Sequence, residues 1–161
     1  MAAKIVEIHT ETLPALRFIG KPCDCEIHDF IGDWDKWIEN GWFEQLEKQC
    51  IAPENGEHYL GLTDNKGGYW IGLLFPTDTP IPNGFEHIDI PAASYADLQF
   101  DGKEDNELLN VDGINLIIEE ISKHDLNPAP LWSGWCIERY SRPSTPDGKG
   151  KVLLECLYEI Q

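Results

Sequence analysis

Positive charge is scarce in this chain, with 12 Lys and Arg against 29 Asp and Glu and a formal net charge of −17 over 161 residues. Without a basic surface, non-specific binding to nucleic acid or to an acidic membrane lacks its driving force. The same imbalance suits cationic ligands or a basic protein partner, and plain solubility is the alternative reading. Long apolar runs are missing as well. None approaches the roughly 20 residues that a membrane helix needs, and the opening Met1-Ala2-Ala3-Lys4-Ile5-Val6-Glu7-Ile8-His9 holds no secretory apolar stretch. A cytoplasmic location, with no membrane and no direct nucleic-acid contact, is the expectation.

Metal-ligand spacing is also lacking. Cys23-Asp24-Cys25 with His28 has no second Cys/His pair at zinc spacing. His9, His28, His58, His87 and His124 show no ligand pattern either. Five cysteines, an odd number without an export signal, fit reduced thiols. No Ser-His-Asp or Cys-His constellation offers a nucleophile. No metal and no cofactor are expected.

What the chain does have is length for one domain with a real core, and a repeat. Leu13-Pro14-Ala15-Leu16-Arg17-Phe18-Ile19 is echoed by Ile90-Pro91-Ala92-Ala93-Ser94-Tyr95-Ala96, an offset of 77 from Pro14 to Pro91. Each half reads as a strand-like segment, a polar loop, an amphipathic helix and two more strands. In the first half, Trp34, Ile38, Trp42 and Leu46 mark a helix over 33–49, with Asp33 as N-cap. Gly41 marks a kink or an early end in its middle. His58–Leu62 and Tyr69–Phe75 follow as strands around the turn Asp64-Asn65-Lys66-Gly67-Gly68. In the second half, Leu109, Ile114, Ile117, Ile118 and Ile121 mark a helix capped by Asp105 or Asn106 and ending near His124. Strands at 135–140 and 152–160 close the chain. The expected fold is α+β. It is a tandem β-α-β-β with repeats of about 1–80 and 81–161, an antiparallel sheet, two helices and a groove between the halves.

The strand Trp135-Cys136-Ile137-Glu138-Arg139-Tyr140 carries the strongest functional lead. Alternation puts Cys136, Glu138 and Tyr140 on one face and Trp135, Ile137 and Arg139 on the other. A carboxylate among aromatics is costly unless a cation or hydrogen-bond donors meet it. An aromatic pocket with an acid at its floor suits a flat cationic molecule. The alternative is a sheet-edge glutamate that reaches solvent or pairs with Arg139. The 77-residue offset maps Glu138 onto Gly61, which leaves room opposite the acid. Tyr140 shares the face of Glu138 as a ligand contact or a plain structural tyrosine. Trp34 and Trp37 stand at helical spacing, where core packing is the default and ligand contact the alternative. Trp135 completes the candidate aromatic walls.

These segments together resemble the GyrI-like small-molecule-binding domain, found attached to some AraC-type and MerR-type multidrug regulators and in stand-alone form. The resemblance rests on the Leu13–Gly20 opening, Tyr69-Trp70-Ile71-Gly72 after a Gly-rich turn, Ile90–Tyr95, and Glu138-Arg139-Tyr140. It implies a ligand groove between the repeats, with Glu138 meeting a cationic ligand and Tyr69 and Tyr95 at family aromatic positions. It implies a stand-alone binding domain for cationic or amphipathic aromatic small molecules, linked to transcription regulation. Two alternatives follow from the same resemblance. One is hydrolysis of cyclopropane-bearing compounds, with Glu138 positioning or deprotonating water and a tyrosine such as Tyr69 or Tyr140 donating a hydrogen bond or proton. The other is modulation of DNA gyrase, with the acidic surface of this chain engaging a basic protein partner.

Overall fold

The computed structural model describes residues 5–23, 30–49, 59–100, 111–131, 133–141 and 153–161. Its elements run β1 (Ile5–Leu13), β2 (Leu16–Pro22), α1 (Phe30–Glu39), α2 (Trp42–Gln49), β3 (Tyr59–Thr63) and β4 (Tyr69–Pro76) in the first half. The second half holds β5 (Glu86–Ile90), β6 (Ala93–Phe100), α3 (Val111–Lys123), β7 (Cys136–Tyr140) and β8 (Leu153–Glu159). All eight strands form one antiparallel sheet in the order β1-β6-β8-β7-β3-β4-β2-β5. The fold is α+β, as the sequence predicts.

That order is its own reverse when the two halves are exchanged. β1 swaps with β5, β2 with β6, β3 with β7 and β4 with β8. The pseudo-two-fold axis therefore falls between β3 and β7, where Gly61 pairs directly with Glu138. On this axis, and only there along the β3–β7 pair, the two residues that the sequence offset relates stand face to face.

The opening segment of each half is two strands rather than one. Pro14 and Pro91 sit at the kinks, since proline cannot donate to a ladder. The register carries through both kinks, with Leu13 opposite Ala93 and Leu16 opposite Ile90. β1 and β2 are first and seventh in the sheet, yet only Pro14 and Ala15 separate them. In a flat sheet six strand spacings amount to roughly 29 Å. Three Cα steps reach at most about 11 Å. The sheet must curl until its ends meet at the crossing ribbons.

Curling creates two cores. The concave face holds Leu16, Phe18, Leu60, Leu62, Leu74, Ile90, Tyr95, Trp135, Ile137 and Leu157. The other face takes the helices, with Trp34, Trp37, Phe43 and Leu46 from α1 and α2, and Ile114, Ile117 and Ile121 from α3. This division explains why β4 is apolar on both faces. Tyr69, Ile71, Leu73 and Phe75 meet the helices, and Leu74 meets the concave core.

The single helix expected over 33–49 is divided. Gly41 takes φ +64°, a left-handed conformation that ends α1 and starts α2. Asp33 lies in the first turn of α1, which begins at Phe30, so it is not the N-cap. The proposed cap at Asp105 or Asn106, Leu109, His28, His58, Cys25, Cys50 and Trp132 lie outside the described residues.

Two glycines set the spacing of β2 and β4. Gly20 pairs with Gly72. A Cβ on Gly20 would overlap the Ile71 carbonyl oxygen, and one on Gly72 would overlap that of Ile19.

Candidate functional site

Glu138 lies on the helix-covered face of β7 and is 1% exposed. Its Oε1 accepts the Tyr140 hydroxyl at 2.5 Å and the Tyr69 hydroxyl at 3.2 Å. The Trp34 indole N–H in turn donates to the Tyr69 oxygen at 3.1 Å. Residues from α1, β4 and β7 thus form one chain of donors ending on a carboxylate. Burial, and then the negative charge of Glu138, push both tyrosine hydroxyls well above their ordinary value. Both remain neutral donors at any working pH.

Alternation places each partner. Tyr140 follows Glu138 by two residues on one strand, so the two side chains share a face. Tyr69 comes from β4, on the far side of β3, and reaches the acid across Gly61. A Cβ at Gly61 would overlap the Tyr69 hydroxyl and lie 2.9 Å from the Tyr69 Cζ and 3.3 Å from Glu138 Oε1. The room that the missing side chain leaves is filled by the tyrosine that holds the acid.

An aromatic layer covers this arrangement. The Trp34 ring meets Tyr140 edge-on at 5.0 Å and Phe43 at 5.8 Å. Phe43 stacks on Tyr59 at 3.7 Å and meets Trp37 at 4.7 Å. An edge-on contact such as Trp34–Tyr140 adds about 0.5–1.5 kcal/mol beyond area burial. The structure therefore brings together Glu138, Tyr69, Tyr140, Trp34 and Gly61, with Trp37 in the same layer. Tyr95 and Trp135 lie on the concave face, in the other core. Sequence reasoning missed Tyr59. Its position two residues before Gly61 on β3 was the available signal, because it fixes the same face.

Arg139 does not pair with Glu138. It points to the concave side, where its guanidinium meets Glu155, its direct neighbour on β8. The Gln99 amide donates to Glu155 at 2.7 Å and to Asp97 at 3.2 Å. Carboxylate oxygens of Glu11, Asp97 and Glu155 lie within 4.8 Å of one another. Burial, then the charge of Glu155, push the Asp97 carboxyl up to about 6, while Arg139 and Gln99 pull it down. His9 on β1 stands directly opposite it, and Glu11 lies two residues farther along the same strand. A raised acid binds its proton more tightly in the folded chain. Its stabilising contribution is complete below the ordinary value of 3.8 and is lost as pH rises through about 6. Stability should therefore fall between pH 4 and pH 7 through the carboxyl cluster of Asp97, Glu155 and Glu11. Denaturant titrations should show Asp97→Asn flattening that fall. An unchanged slope would show that Asp97 does not carry it.

No family model matches the sequence, and neither does any curated protein. Solved structures do match in shape. SAV2435 bound to tetraphenylphosphonium aligns with a TM-score of 0.64 over 97% of this chain and 94% of that one, at 15% identity. A protein from Staphylococcus aureus MU50, provisionally described as a bacterial transcription regulation protein, aligns with a TM-score of 0.59 over 96% and 98%, also at 15% identity. The chain shares the α+β fold of these two proteins, which is consistent with the GyrI-like architecture that the resemblance implies. At this identity the likeness speaks for the architecture, and the fold's two halves correspond to the sequence repeat. Among the described residues no helix is long and apolar enough to cross a membrane.

Proposed function

We propose that the chain binds cationic aromatic small molecules, with Glu138 as the anion that meets the positive charge. One observation carries this reading: a carboxylate 1% exposed, held on one oxygen by two tyrosine hydroxyls beneath a layer of tryptophan and phenylalanine. A buried carboxylate is a strong point of attraction for a cation, and the rings add cation–π and apolar contact. Tyr69, Tyr140 and Trp34 orient the acid, and Trp37 extends the aromatic wall. The similarly folded SAV2435 is a protein bound to tetraphenylphosphonium, a ligand of this class.

The test is a titration of tryptophan fluorescence with tetraphenylphosphonium and with neutral triphenylphosphine oxide. Saturable binding is expected, with the cation preferred by about 10-fold or more. No saturation, or equal affinity for the two compounds, would remove the reading.

A further inference from the structure

Lys21 shares the sheet face of Glu138. Its partner on β4 is Ile71, whose partner on β3 is Gly61, which faces Glu138 on β7. One cross-strand row thus carries a cation at one end and the carboxylate at the other, with Cα atoms three strand spacings or roughly 14 Å apart. The chain has 29 acidic residues, yet Lys21 makes no ion pair among the described residues. Its ammonium sits instead over the Trp42 ring, 3.7 Å from the centroid, and 5.3 Å from the Phe85 centroid. Trp37 backs both rings, edge-on to Trp42 at 5.4 Å and 6.0 Å from Phe85.

We propose that Trp42 and Phe85, backed by Trp37, form a second, aromatic subsite. Lys21 fills it until an aryl arm of an ammonium or phosphonium ligand, whose charge lies toward Glu138, takes its place. This rests on the binding function proposed above and specifies how the far end of the ligand is held. The chemistry favours the exchange. A lysine ammonium is compact and strongly hydrated, so it regains water when it leaves the rings. Its flexible stem lets the charge swing to solvent while the methylenes stay against apolar surface. A bulky organic cation is poorly hydrated and gains more from the same rings. Lys21 is then a built-in competitor that keeps the aromatic surface covered in the free protein.

The experiment titrates tetraphenylphosphonium into the wild type, Lys21→Met and Lys21→Arg. Methionine keeps an unbranched stem without the charge, and binding should tighten by about 2- to 30-fold. Arginine keeps a cation on the rings and should stay within about 2-fold of wild type. A second reading on the wild type follows the Lys21 ε-methylene protons by NMR. The Trp42 ring shields them in the free protein, and saturating ligand should return them to an ordinary lysine position. Equal or weaker binding by Lys21→Met, or unmoved Lys21 signals at saturation, would overturn the subsite while leaving the Glu138 reading intact. Absence of saturable binding in both the wild type and Lys21→Met would overturn both readings.

Discussion

Glu138→Gln should weaken tetraphenylphosphonium binding by about 30-fold or more and change the affinity for triphenylphosphine oxide by less than about 3-fold. The substitution keeps the shape of the side chain and an oxygen to accept the Tyr140 and Tyr69 hydroxyls. It removes only the charge. Truncating one member of a buried charge pair costs about 2–5 kcal/mol, whereas a neutral ligand has no such term to lose. The folded chain should persist, because the Tyr69 and Tyr140 hydroxyls still find an acceptor. Parallel calorimetric titrations and thermal melts of the two proteins check both halves of the expectation. Equal loss for both ligands would assign Glu138 to the architecture of the sheet instead of to charge recognition.

The largest effect on stability is expected at Gly72. A methyl group there would overlap the Ile19 carbonyl oxygen and lie 2.8 Å from the Gly20 Cα. Both obstacles are backbone, so no rotamer change relieves them, and β2 and β4 must move apart. Overpacking of this kind costs about 3 kcal/mol or more. Gly72→Ala should then melt roughly 6–12 °C below the wild type. Leu116→Ala, at an exposed position on α3, should stay within about 0.5 kcal/mol. A Gly72→Ala midpoint within about 2 °C of wild type would show that the strands yield more easily than their spacing implies.

The repeat carried much of this structure into the sequence. The 77-residue offset holds through β3 and β7, so it found the partner of Glu138 correctly, and alternation grouped Glu138 with Tyr140 and Cys136. The helix break at Gly41 was legible as a weakness, and its full extent was not, since the left-handed turn depends on how α2 packs. Other features were hidden for physical reasons. Pro14 and Pro91 read as parts of one strand because a kink between strands keeps the same apolar pattern. The curl of the sheet is set by strand order, which involves contacts far apart in the chain. Tyr95 looked equivalent to Tyr69 because strands with two apolar faces do not reveal which face meets the helices. Alternation had already separated Trp135 from Glu138, and the concave core is where it packs. Lys21 carried no signal, because the rings of Trp42 and Phe85 reach it only after the sheet and α2 come together.

The pairing of Gly61 with Glu138 on the pseudo-two-fold axis has a consequence for what identical halves could achieve. Two copies of one half, joined as a true dimer, would bring like residues together at that point. They would present two facing carboxylates that repel, or two glycines and no charge at all. A single acid on the axis, with a tyrosine from the other half resting on it across the glycine, requires halves that differ. Joining both in one chain lets each position change alone, so a symmetric scaffold carries a single acid with a direction.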